Sequence, residues 1–137
     1  MNTRSILLNL LLAAVPALAF AQTPLPQKTG GDKDKHGCIG SAGYVFSTIK
    51  NDCVRLFEQE IRLKETNPKG TFTSEAVVIF SKNRKKAELF MPGSASSLIL
   101  TRTGKEGGYV WKKGNLSFFM WKGYVLKRGK KVIFAGA

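Results

Sequence analysis

Three patterns of apolar and polar positions divide this chain. From Ile6 to Ala19 the residues are almost continuously apolar, behind a positive Arg4 and ahead of Ala19-Phe20-Ala21. That order matches an export signal with a small-x-small cleavage site, and it predicts removal of residues 1–21. The run is shorter than the ~20 apolar residues a spanning helix needs, and no later segment approaches that length. The mature chain is therefore expected to have no transmembrane segment. Residues 22–36 carry Pro24, Pro26, Gly30 and Gly31 with interleaved Asp and Lys and hardly an apolar side chain, the pattern of a flexible tail. A single domain is expected over residues 37–137.

Within that domain the period changes once more. Phe46, Ile49, Cys53 and Leu56 or Phe57 recur at three- and four-residue spacing, which predicts a short amphipathic helix over Ser47 to Phe57 packed on a sheet. Gly40 and Gly43 place a turn or an irregular strand before it. After Ile61 come short β-rich runs: Thr71 to Phe80, Ala87 to Met91, Ser97 to Arg102, Tyr109 to Lys113, Leu116 to Trp121, Tyr124 to Lys127 and Lys131 to Ala135. Their separators, such as "PGSA", "GKEGG", "GN" and "RGK", are rich in turn residues. The expected fold is mainly β: a small antiparallel barrel or sandwich with a disulfide-stapled N-terminal helix as a cap.

Cys38 and Cys53 are the only cysteines, and in an oxidising compartment a pair most simply forms one disulfide. With His36 the sole histidine, they cannot complete a four-ligand zinc site, and no second histidine exists to activate a thiolate. No metal and no cofactor is expected. Glu58 and Glu60 form the one acidic pair of interest, but Arg55, Arg62 and Lys64 surround them, which favours a salt-bridged surface over acid–base chemistry. With no nucleophile elbow, phosphate loop, HExxH or dinucleotide fingerprint, the pattern favours a binding protein over an enzyme.

Charge narrows the partners. The formal net charge is +13, and loss of Arg4 with the export signal lowers it by one. Such an excess attracts polyanions over about 10 Å, the Debye length. Anionic polysaccharide, lipopolysaccharide or an acidic protein fit; export to the periplasm or beyond makes nucleic acid the least favoured partner. Scattered lysines that only keep a small domain soluble are the competing reading. In "FFMWKGY", Lys122 stands between Trp121 and Gly123, close to Tyr124 and, on the preceding hairpin, Tyr109 and Trp111. These rings either fill and edge a barrel or supply rigid contact area on a recognition surface, with lysine supplying charge.

"KKAELFMPGSASSLIL", "RTGKEGGYVW" and "LSFFMWKGYVLKRGKKVIFAG" together resemble the MliC/PliC group of bacterial C-type lysozyme inhibitors. Ala87, Leu89, Met91 and Pro92 follow that family's A-x-L-x-L-P strand, Tyr109 its loop tyrosine, and Lys122-Gly123 its terminal K-G. Thr103, before Gly104, stands where the loop serine would be, and the cysteines lie in the N-terminal block rather than on the last strand. The resemblance covers the C-terminal half and implies a small antiparallel barrel, exported, that inserts its loop and lysine toward the carboxylates of a lysozyme cleft. It implies Lys122, Thr103, Tyr109, Trp121 and Tyr124 as target-binding residues. C-type lysozymes are themselves basic, so the target stands open between lysozyme types and other cell-wall hydrolases. A polyanion-binding module and a structural envelope domain are the alternatives.

Overall fold

The computed structural model describes residues 31–136. The predicted export signal and residues 22–30 of the predicted tail lie outside the described residues. Ten strands follow in order: β1 (Tyr44–Ser47), β2 (Asp52–Arg55), β3 (Ile61–Glu65), β4 (Glu75–Phe80), β5 (Lys86–Phe90), β6 (Leu98–Thr103), β7 (Val110–Lys113), β8 (Leu116–Met120), β9 (Tyr124–Arg128) and β10 (Lys131–Gly136). The first two form a separate hairpin, and the other eight close into an antiparallel barrel in sequence order, with β10 returning to pair with β3. Closure is helped by a register shift at Ile133, where β10 bulges to turn from β9 toward β3.

Alternation along these strands fills the barrel. Leu63, Val78, Leu89, Leu100, Trp111, Phe118, Leu126 and Phe134 point inward and form one buried cluster. An eight-stranded barrel has an interior just wide enough for side chains, and here they occupy it. Among the described residues no helix is long and apolar enough to cross a membrane.

β4 departs from simple alternation: Ala76, Val77, Val78 and Ile79 are all buried. A strand buried on both faces needs a second cover, and the β1–β2 hairpin supplies it. Val54, with the half-buried Val45, Ile49 and Leu56, packs over Val77, Ile79 and Phe90 on the outside of the barrel wall.

This hairpin replaces the helix expected over Ser47 to Phe57. Residues 48–51 form a turn with Asn51 at φ 52°, β2 follows, and only Leu56–Glu58 makes a short 3-10 turn. The three- and four-residue spacing of Phe46, Ile49, Cys53 and Leu56 misleads because these residues lie in β1, the turn, β2 and the 3-10 turn: Ile49 and Leu56 pack on the barrel, whereas Phe46 meets His36 and Cys53 the disulfide. The turn-forming Asn51 and Asp52 compete with helix at mid-segment. β3 was absent from the expected strands, and the run expected from Thr71 becomes a strand only at Glu75.

Cys38 and Cys53 form a disulfide with Cα atoms 5.5 Å apart, joining the segment before β1 to β2. Residues 31–36, assigned to the tail by composition, carry a bridge between Lys33 and Ile39. The Asp34 carboxylate accepts from the His36 and Cys38 amides at 2.8 and 2.9 Å, and the His36 ring stacks on Phe46 at 3.7 Å. Replacing both cysteines by serine is expected to destabilise the oxidised protein by about 3 kcal/mol, the chain-entropy value for a loop of this size. Urea unfolding with and without reductant measures it: the reduced wild type should match the double variant.

Candidate functional site

Strand alternation puts three connections at one end of the barrel: residues 81–85 between β4 and β5, 104–109 between β6 and β7, and 121–123 between β8 and β9. All five residues expected to bind a target lie at that end. They are held there in different ways.

Lys122 is at the tip of the β8–β9 hairpin. Met120 pairs with Tyr124 below it, and the Trp121 amide donates to the Gly123 carbonyl at 2.6 Å, closing a three-residue loop. The closure requires left-handed backbone at Lys122, φ 50°, and at Gly123, φ 118°. Glycine is needed at 123 for a second reason: a Cβ there would stand 3.0 Å from the Gly136 carbonyl oxygen of β10. Lys122 is exposed and makes no ion pair among the described residues. Trp121 is 70% exposed and Met120 56%. Lys122 thus directly follows two exposed apolar residues in the chain.

Tyr124 and Tyr109 are props rather than free contacts. Tyr124 stacks on Phe118 at 5.0 Å, and its hydroxyl accepts from Arg84 Nη2 at 2.5 Å. Tyr109 lies edge-on to Trp111 at 6.5 Å, under the Arg102 guanidinium at 4.0 Å. The Thr103 hydroxyl donates across the hairpin to the Val110 carbonyl at 3.1 Å, so it is spent within the hairpin. Gly104 makes that hairpin's turn: a Cβ there would meet the Gly108 carbonyl oxygen at 2.6 Å.

Two arginines were missed by sequence reasoning. Arg84 lies over the Phe80 ring at 4.1 Å, and its carbonyl accepts from Trp111 Nε1 at 2.8 Å, so it closes this end of the barrel while carrying charge. Arg102 covers Tyr109 in the same manner. The "KNRKK" separator was legible only as a turn; an arginine at its left-handed position, φ 55°, gives no local sign of what it covers. With Lys82, Lys85 and Lys105, these residues make the end a basic and aromatic rim against two acids, Glu60 and Glu106.

Glu58 pairs with Arg55 at 3.1 Å, and Arg62 with Glu75 at 3.9 Å. Among the described residues no group of three or more His, Cys, Asp or Glu side chains is placed to hold a metal ion. An open groove of about 700 Å³ runs between the N-terminal block and the β5–β6 connection, and one of about 310 Å³ lies by Glu65, Arg128 and Lys131. Neither includes a residue of the rim. Comparison of the chain with protein-family models, with characterised proteins and with solved structures gave no match.

Proposed function

We propose that this is an exported, non-enzymatic binding protein that inhibits a lysozyme or another cell-wall hydrolase by presenting Lys122 to the acidic groups of the enzyme's cleft. The observation that carries the reading is the β8–β9 tip: an exposed, ion-pair-free lysine in a closed three-residue loop beside a 70% exposed tryptophan. Glycoside hydrolases commonly hold two carboxylates a few ångströms apart. An ammonium delivered between them gains charge-assisted hydrogen bonds in a partly dry site. Trp121 and Met120 would exclude water around it, while Arg84 and Tyr124 keep the hairpin base in place.

Truncating Lys122 to Ala is expected to weaken binding by about 2 kcal/mol, because the enzyme's carboxylates lose their counter-charge. Lys130→Ala is the matched control: it lies in the β9–β10 turn at the opposite end of the barrel and should change binding by less than about 1 kcal/mol. Inhibition assays of wild type and both variants against C-type, goose-type and invertebrate-type lysozymes test this. If wild type inhibits none of them and also spares other cell-wall hydrolases, the reading fails. Equal losses for the two variants would remove Lys122 from its role and favour binding by diffuse charge.

A further inference from the structure

Charge is segregated along the chain in a way the total conceals. After Glu88 the sequence holds nine Lys and Arg residues and a single acid, Glu106, in the β6–β7 connection. Strands β6 to β10 contain no Asp or Glu at all.

The register arranges part of this charge in a row on the outer wall. Lys86, Thr101, Lys112, Ser117, Lys127 and Val132 are successive partners across β5 to β10. Lysines therefore stand on alternate strands, about 10 Å apart, with a hydroxyl between each pair. None of these lysines makes an ion pair among the described residues.

The next outward row, two residues along each strand and about 7 Å away, is apolar. Val110, Phe119, Val125 and Ala135 are successive partners on β7 to β10, and none belongs to either buried cluster. Trp121 lies two residues beyond Phe119. The β1–β2 hairpin covers β4 and β5 instead, so among the described residues nothing lies over this wall.

We propose that this wall of β7 to β10 docks on an anionic lipid layer, with Lys112 and Lys127 among the headgroup phosphates and Phe119, Val125 and Trp121 at the level of the glycerol and upper chains; Lys86, on β5, faces away from it. Charge complementarity and the second row together select this occupant. A second copy of the chain would set lysine row against lysine row. A sulfated or carboxylated glycan would use the lysines and leave the apolar row wet. A lipid surface satisfies both, since an amphipathic face gains from apolar burial and from phosphate attraction together. The barrel strands, four to six residues long, are shorter than the roughly 9–11 residues a membrane-spanning strand needs, so the wall lies on the surface.

The test is co-sedimentation of the full chain with vesicles of phosphatidylcholine, alone or mixed with phosphatidylglycerol. Binding is expected only to the mixed vesicles, with a blue shift of Trp121 emission; Trp111 is already buried. The Lys112→Gln/Lys127→Gln pair should weaken binding about thirtyfold, at about fivefold per lysine. Lys35→Gln/Lys50→Gln, the same charge change on the N-terminal block, should alter it less than about threefold. Phe119→Ser should weaken it about tenfold at unchanged charge. Circular dichroism confirms folding, and the lysine pairs decide the matter if Phe119→Ser does not fold. Equal losses from both lysine pairs would overturn the proposal. So would heparin affinity matching that for vesicles with Phe119→Ser silent, which would indicate a glycan site. A dimer in sedimentation velocity that Phe119→Ser dissociates, without vesicle binding, would assign the wall to a second copy.

Discussion

Replacing Glu88 by Ala is expected to destabilise the protein by about 3 to 5 kcal/mol, although the residue is an acid on the outer wall of a barrel. Its carboxylate is fully buried under the β1–β2 hairpin. It accepts from the Ser47 and Ser97 hydroxyls at 2.6 Å each and from the Thr48 and Ile49 amides at 2.9 and 3.0 Å. Ser47 Oγ in turn accepts from the Lys50 amide at 3.1 Å, so the whole turn of the hairpin closes around one side chain. Removing it leaves four donors without an acceptor in a space water does not reach. Glu88→Gln keeps the shape and one acceptor oxygen and should cost less, about 2 kcal/mol. Urea midpoints of the three proteins order them.

The same carboxylate makes stability depend on pH. Burial pushes the Glu88 carboxyl up, but the hydrogen bonds from Ser47, Ser97, Ile49 and Thr48 together outweigh it and hold the group below its ordinary 4.5. A carboxyl lowered by folding contributes stability that is complete above its unfolded value. That contribution is lost as the pH falls below 4.5 toward the folded value. Wild type should therefore lose stability on acidification through this window, and Glu88→Gln should lose less. A shallow slope should remain, because Asp32 and Asp34 are also lowered, chiefly by the backbone amides of Ser41 and Cys38.

Phe118→Ala should cost about 3 to 5 kcal/mol, the range for deleting a buried ring from a core that cannot collapse around the space. Phe118 is fully buried, stacks on Tyr124 at 5.0 Å, and meets Phe80 and Trp111 at 5.9 Å each. A closed barrel resists collapse because its diameter is set by strand number and tilt. Phe72→Ala, 89% exposed, should lie within about 0.5 kcal/mol of wild type in the same thermal or urea unfolding series. Comparable losses for the two would contradict the inward assignment of Phe118.

That assignment shows where sequence reasoning stops. "LSFFMW" announces a strand, and the turn residues around it announce a hairpin, because both signals are local. Which of Phe118 and Phe119 enters the core depends on register, and register is set by the partner strands β7 and β9. Six of the seven expected strands lie within two residues of the observed ones, whereas the helix was wrong because a hairpin turn scattered apolar residues at helical spacing. "EAVVIF" did carry a usable sign: a strand apolar on both faces needs a cover on each, which points to the stapled block lying outside the barrel. Glu88, alone in an apolar strand, was the complementary sign. The rim could be anticipated from Lys122 and its rings. The contributions of Arg84 and Arg102 could not: Arg84 acts through Tyr124 and Trp111, forty and twenty-seven residues away, and Arg102 meets Tyr109 only once the β6–β7 hairpin has closed.

Closure of the barrel has one more consequence, for how this protein can recognise anything at all. Every barrel strand has a neighbour on each side, so no barrel strand presents a flank that is open along its whole length. Among the described residues, the strands with one flank wholly open are β1 and β2, four residues each. Partners that bind by adding a strand to a sheet edge find almost no template here. Recognition must be written in side chains and turns, where single substitutions can change it without disturbing the scaffold's hydrogen-bond ladder.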